Sequence, residues 1–238
     1  MIWIGCCGFQ VSRQKYFRTF DVVEVQQTFY KPPSQSTLEK WRVEAPNDFE
    51  FIVKAWQLIT HPPTSPTYRK AGISVDGKAG YFIPSETVFD AWETTKVIAK
   101  VLESKIILFQ TPYSFKDHES NIKNMQDFFN SLEREFIFAW EPRGWSPEKI
   151  KLVCENLNLI HVTDPFASLP SVDSEIMYFR LHGKPPGKRM YKYTYTNEDF
   201  ENLRRNIDKF SIKEIYCLFN NITMFQDAQR FREIFFRN

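Results

Sequence analysis

The chain has 238 residues, of which 42% are hydrophobic and 16% aromatic, with 23 Phe, 10 Tyr and 6 Trp. That is enough apolar material to bury the core of one large α/β domain or two small ones, and too much for a disordered chain. The formal net charge is +2, so attraction for a polyanion has to come from a local patch, and no window approaches the roughly 18 uninterrupted apolar residues of a membrane span.

In chain order, Ile2–Cys7 reads as a buried strand closed by Gly8, with no basic segment and long apolar run ahead of it. Gln10–Phe20 leaves room for one or two helical turns. A second strand, Asp21–Thr28, sets Glu24, Gln26 and Thr28 on one face and Val23 and Val25 on the other. Beyond Phe29, Tyr30 and two prolines, Ser36 and Glu39 have capping-box spacing for a helix running through Trp41 to about Glu44. The third strand starts at Phe49 and carries Lys54 near its end, with His61 just beyond. The Pro- and Gly-containing stretch Pro62–Pro84 is long for a connection and reads as a functional lid. Ser85 then caps a helix in which Val88, Trp92, Thr95, Ala99 and Leu102 recur at helical spacing.

The fourth strand, Lys105–Thr111, carries Gln110 near its end and is followed by a helix with Ile122, Met125, Phe129 and Leu132 on one face. The fifth, Phe136–Glu141, runs into P-R-G-W, after which Ser146 and Pro147 open another helix. The sixth is Leu159–Asp164, and Pro165–Glu175 behind it reads as turns, not helix. The seventh, Met177–Gly183, is apolar until it presents Arg180 and His182 on one face, opposite Phe179 and Leu181. A basic, aromatic loop follows over Lys184–Tyr195, then a helix capped by Thr196. The eighth strand, Glu214–Phe219, leads into Asn220 and Asn221, and the last helix carries Phe225, Ala228, Phe231 and Phe235. Cys6, Cys7, Cys154 and Cys217 have no C-x-x-C spacing and read as reduced packing thiols of a cytoplasmic protein.

Eight strands alternating with helical segments predict parallel βα units, and eight such units close into a single (β/α)₈ TIM-like barrel, irregular after strands one and six. No Gly-, Ser- or charge-rich linker interrupts residues 1–238, so one domain is expected. An open doubly wound sheet would be expected to show a Gly-rich phosphate turn after the first strand, and G-C-C-G-F lacks it.

In such a barrel the active site lies at the C-terminal strand ends. The polar residues at or near those ends are Glu24, Gln26, Lys54, Gln110, Glu141, Arg143, Asp164, Arg180, His182 and Asn220, and strand parity allows all of them to face inward. Buried polar groups are costly unless paired. The set is therefore either an internal ion-pair layer or a site. Its cations, Lys54, Arg143 and Arg180, balance its acids and leave little field for a divalent metal, so neither a resident metal nor a cofactor is expected. An anionic ligand suits it better, because arginine offers a planar fork to phosphate or carboxylate. In the loop after the seventh strand, Lys184, Lys188, Arg189 and Lys192 alternate with Tyr191, Tyr193 and Tyr195, a pattern that could hold phosphates and stack bases, or simply pack tyrosines on the barrel rim.

The stretches V-E-V-Q-Q-T-F-Y at Val23, P-N-D-F-E-F-I-V-K-A at Pro46, I-T-H at Ile59, F-Q-T-P at Phe109, W-E-P-R-G-W at Trp140, F-R-L-H-G at Phe179 and Y-C-L-F-N-N at Tyr216 occur in order along nearly the whole chain. In these the sequence resembles the YecE-like proteins, domain of unknown function family 72. The resemblance implies a TIM-barrel-like fold without an established activity. It also singles out Glu24, Lys54, His61, Glu141, Arg143, Asp164, Arg180, His182, Asn220 and Asn221. The sequence departs from the family pattern where a tryptophan-containing stretch is missing after the first strand, and where Gln26 replaces a usual asparagine. The family is sometimes likened to barrels acting on sugars or damaged DNA, an analogy of fold alone.

The expected function is acid/base chemistry on a small anionic substrate. Glu141 or Glu24 would be the general base, with His182 its partner and Asp164 beside it. Lys54, His61, Arg143, Arg180, Asn220, Asn221 and Tyr191 would hold the substrate. The competing readings are a nucleic-acid-binding protein using the Lys184–Tyr195 loop, and a metal-assisted hydrolase or isomerase.

Overall fold

A computed structural model describes residues 1–75, 77–187, 189–208, 210 and 212–236. Short apolar runs form the strands and longer amphipathic segments wrap them. In order these are β1 (Ile2–Cys7), α1 (Arg13–Phe17), β2 (Val22–Val25), α2 (Gln27–Tyr30), α3 (Gln35–Glu44), β3 (Glu50–Lys54), α4 (Gln57–Thr60), α5 (Pro66–Ala71) and α6 (Glu86–Val101). The second half continues with β4 (Ile106–Gln110), α7 (Glu119–Asn130), β5 (Ile137–Glu141), α8 (Pro147–Leu157), β6 (Ile160–Thr163), β7 (Ile176–Leu181), α9 (Asn197–Ile207), β8 (Glu214–Phe219) and α10 (Met224–Phe236). The strands pair in sequence order, all parallel, and β8 closes on β1 with Ile2 opposite Ile215, so the sheet is the TIM-type barrel that the strand count predicts. Among the described residues no helix is long and apolar enough to cross a membrane.

Period-two alternation divides the apolar residues into two cores. Inside the barrel lie Val22, Ile52, Ile106, Leu108, Ala139, Ile160, Val162, Tyr178, Tyr216 and Leu218. Their strand neighbours of opposite parity, such as Val23, Phe51, Ile107, Phe109 and Phe138, pack against the helices in a larger cluster rich in phenylalanine. Burial of one such side chain contributes about 1.5–3 kcal/mol, and aromatic edge contacts such as Phe109 on Phe129 at 5.0 Å add to it.

Three local expectations change and a fourth holds. Strand β2 ends at Val25, because Gln26 already adopts helical dihedrals and Thr28 turns back to donate its hydroxyl to the Val25 and Lys54 carbonyls. The cap of α3 is Ser34, whose hydroxyl accepts from Thr37 N–H, not Ser36. The stretch from Pro62 to Pro84 is no simple lid: it contains α5, opened by Ser65 and Pro66 and closed by Gly72 in the left-handed region. Phe82 then buries itself completely against Phe109, Phe115, Phe128 and Phe129. Finally, β6 and β7 are joined without a helix, as the turn-like sequence of Pro165–Glu175 predicts. That missing helix decides where the open space of the molecule lies.

Candidate functional site

Two groups of polar side chains stand at the C-terminal strand ends. The first lies on the barrel axis and is closed. Strand β7 sends Tyr178 and Arg180 inward on one face, and Arg180, 1% exposed, grips Glu24 of β2 across the barrel through Nε to Oε2 at 2.8 Å and Nη2 to Oε1 at 2.9 Å. Tyr178 donates to the same Oε2 at 2.5 Å, Gln26 donates to Oε1, and the Cys7 thiol lies 3.5 Å from Oε2. The remaining Arg180 nitrogen, Nη1, donates to Glu141 Oε2. Lys54 completes the layer. Its ammonium donates to Gln110 at 2.8 Å and Gln26 at 3.3 Å and sits 4.2 Å above the Phe29 ring, with no carboxylate in contact among the described residues. Burial, reinforced by the neighbouring Arg180 charge, pulls Lys54 down to about 7, while burial and the Glu24 carboxylate, against Arg180, push the Cys7 thiol up.

This arrangement corrects part of the expected site. Glu24, 0% exposed with both oxygens occupied, has no face open to a substrate and does not fit a general base. Arg180 spends its guanidinium on two carboxylates, so it does not fit an anion fork. Glu141 accepts from Arg180 through one oxygen and lies 3.3 Å from Arg143 through the other. Burial alone would raise its carboxyl, but Arg180, Arg143 and His182 outweigh it and hold Glu141 well below the usual carboxylate range, which makes it a weak base.

The second group is open. A cavity of about 740 Å³ begins at Glu141, Arg143, Asp164, His182 and Tyr191 on the rim and continues toward Trp145, Ile150, His161, Thr163 and Leu169. His182 leaves β7 just before Gly183, whose φ of +108° and closeness to the Met190 carbonyl (2.0 Å from where a Cβ would stand) exclude a side chain. The turn carries Tyr191 edge-on over the His182 ring at 5.4 Å. Asp164, immediately after β6, accepts the His182 backbone N–H at 2.9 Å and faces its Nδ1 at 3.3 Å. A carboxylate only accepts, so Nδ1 carries the proton in the neutral ring, and the Nε2 lone pair accepts from Arg180 Nη1 at a long 3.4 Å, with Glu141 Oε1 3.7 Å away. Arg143, beyond β5, uses Nη2 for Glu141 and for the Tyr191 hydroxyl at 3.3 Å each; its Nε and Nη1 make no bond within the described residues.

The other expected residues are placed elsewhere. His61 bonds Thr60 at 2.8 Å, lies edge-on to Phe29, and is pushed down to about 3 by burial and then by Lys54; it does not line the cavity. Asn221 donates to the Tyr193 carbonyl and to Asp227 at 2.7 Å each, tying α10 to the preceding loop, which is a scaffold position. Asn220 bonds its backbone N–H to Leu181 and also lies outside the cavity lining. In the basic loop, Lys184 pairs with Asp199, Tyr193 is half-buried and donates to Asp199 at 2.7 Å, and Tyr195 is buried in the core and has no free face for a base. Arg189 and Lys192 remain at the surface, and Lys188 lies outside the described residues. Among the described residues no group of three His, Cys, Asp or Glu side chains is arranged to hold a metal ion.

Two cavity residues escaped the sequence reading. His161 and Thr163 have the parity of β6 that points away from the barrel interior, opposite Ile160 and Val162. A signal was present: I-H-V-T alternates polar and apolar in a strand expected to be covered on both faces, directly ahead of a stretch without a helix.

Comparison with known proteins places this geometry in context. The model of the family described as protein of unknown function DUF72 matches residues 10–236. UPF0759 protein YunF of Bacillus subtilis (strain 168) is 24% identical, over 93% of this chain and 89% of its own. A crystal structure of a DUF72 family protein from Enterococcus faecalis V583 superposes with a TM-score of 0.77 at 18% identity, covering 100% of this chain and 98% of that one. Another, from Thermotoga maritima MSB8, gives 0.70 at 21% identity with 98% of each chain covered. At these identities the two structures speak for the fold.

Proposed function

Since the chain belongs to the family of proteins of unknown function DUF72 and folds as a TIM-type barrel, we propose that its off-axis cavity is an active site for acid/base chemistry on a small anionic substrate. The observation that carries this reading is the setting of His182. Asp164 holds its Nδ1 proton and backbone, and Arg180 Nη1, bonded mainly to Glu141, reaches Nε2 only at 3.4 Å, so Nε2 has one long contact to give up before it accepts a proton from a substrate and returns it. Glu141, 3.7 Å away and kept ionised by Arg180 and Arg143, stabilises the imidazolium between those two steps. Arg143 supplies unspent N–H donors at the lip for a carboxylate or phosphate group. Asp164 and Glu141 are positioning and electrostatic residues in this scheme, and His182 is the group that touches substrate. The reaction class is that of a hydrolase, lyase or isomerase.

The test is a depletion assay. Pools of carboxylate and phosphate-ester metabolites are incubated with wild-type protein and with His182→Gln, and each compound is followed by mass spectrometry. A compound consumed by the wild type and spared by the variant is the expected result. Consumption that continues in His182→Gln, together with anion binding that Arg143→Ala leaves intact, overturns the assignment.

A further inference from the structure

In a (β/α)₈ barrel the outward face of each strand is normally covered by the helix that follows it. On β6 it is not, because Pro165–Glu175 crosses to β7 without a helix. The crossover is instead pinned at both ends by side chains. Asp164 accepts Phe166 N–H at 3.0 Å where it begins, and His161 Nδ1 accepts Ser171 N–H at 3.0 Å where it returns. Between those points the cavity runs off the barrel axis, down the outer face of β6, to a floor that includes Trp145 and Ile150 and a wall at Leu169. Apart from Ser168 and Ser171 of the crossover, this inner part is apolar except for two polar side chains of β6. Thr163 lines it, on a residue 5% exposed, and its hydroxyl is buried directly behind the cavity wall with no hydrogen-bond partner among the described residues. His161, neutral because burial pulls its ring down to about 4, must carry its proton on Nε2, since Nδ1 accepts from Ser171.

An unpaired buried hydroxyl costs stability. Here it shares the compartment with an imidazole N–H, and both can donate to an acceptor that the protein does not provide. A ligand that reaches from Arg143 into this compartment therefore has two unlike ends. We infer that the helix-free crossover after β6 builds a second, inner subsite that takes a planar, uncharged group bearing a hydrogen-bond acceptor, held by Thr163 and His161 between Trp145, Ile150 and Leu169. This inference rests on the cavity being the site proposed above. It narrows the substrate to a carboxylate or phosphate joined to a flat carbonyl- or heteroatom-bearing portion, as opposed to a small polyhydroxylated anion.

Three carboxylate probes separate the claims: acetate, benzoate and 4-acetylbenzoate, with benzamide as the uncharged control. Binding is followed by the methyl resonances of Ile150 and Leu169 for the inner compartment and by the His182 ring signals for the rim. Benzoate is expected to move both sets and acetate only the rim. The acetyl group should tighten binding about 5–10-fold over benzoate, the worth of one hydrogen bond to a buried donor. Thr163→Val, which keeps the shape and removes the hydroxyl, should abolish that gain while leaving benzoate unchanged. If 4-acetylbenzoate binds no better than benzoate, or Ile150 and Leu169 do not respond, the inner subsite is wrong; the site reading survives if acetate and benzoate still shift His182 and lose binding in Arg143→Ala. If the aromatic probes fill the inner compartment with the Thr163-dependent gain, but benzoate and benzamide bind equally in wild type and in Arg143→Ala, the subsite stands and the anion reading falls.

Discussion

The axis layer and the off-axis cavity are built from the same residue types, arginine, carboxylate and histidine or lysine at strand ends, yet they serve different ends. On the axis, Glu24 meets five donors or close neighbours and Arg180 uses three nitrogens on two carboxylates, with both groups shut off from solvent. In the cavity, among the described residues, Arg143 leaves two nitrogens unbonded, His182 Nε2 has only a long 3.4 Å bond from Arg180, and the Thr163 hydroxyl has no partner. What separates the proposed site from the ion-pair layer here is unspent hydrogen-bonding capacity, not the presence of charge. The difference follows from the coverage of the barrel: α5 and Phe82 close the side around β3 and β4, whereas nothing helical follows β6.

The sharpest way to break this contrast is to remove one member of the closed layer. Glu24→Gln leaves the buried Arg180 charge with only Glu141 as counter-ion, and a loss of roughly 3–5 kcal/mol in urea unfolding is expected. A change under about 1 kcal/mol would mean that the axis layer is not the scaffold described.

Lys54 gives the next largest effect and a pH signature. Its pKa of about 7 in the folded protein lies below its ordinary 10.5 in the unfolded chain, so between those values the unfolded chain holds more protons. Stability should therefore rise with pH through that window, by at most about 1.4 kcal/mol per pH unit. In Lys54→Met this rise disappears. Unfolding at pH 7, 7.5 and 8 compares the two proteins, below the region around pH 9 where the four buried thiols, raised from 9.0, act in the opposite direction. His61, lowered from 6.5 to about 3, adds a matching acid limb: stability is lost as pH falls below about 6.5, and His61→Gln should flatten the loss between pH 6 and 4.

The cavity residues should cost far less. Arg143 is partly exposed and bridges to Glu141 at 3.3 Å, so Arg143→Ala is expected to change stability by about 1 kcal/mol or less while removing anion binding. Thr163→Val should be neutral or stabilising by about 0.5 kcal/mol in the free protein, because it deletes a buried hydroxyl without a partner. A loss comparable to that of Glu24→Gln from either substitution would erase the distinction between the two regions.

Periodicity alone determined the eight-stranded barrel, the inward set of β7 and the lack of a helix after β6, because each depends on the 2.0- and 3.6-residue repeats of local side-chain direction. Helix starts at Ser85, Ser146 and Thr196 were equally legible, since a cap is a bond within three residues. Parity could say that Glu24, Lys54, Glu141, Arg180 and His182 face the barrel axis. It could not say which of them neutralise one another, because the partners of Glu24 lie up to 156 residues away. Asn221 reads as a rim residue in one dimension and becomes a tie to Asp227 in three. His161 and Thr163 went unnoticed for a related reason. Strand β6 dictates only that they point outward, and whether outward means a helix or a cavity is decided by how α8 and the crossover pack around them. The sequence carries direction, while access and pairing are properties of the packed whole.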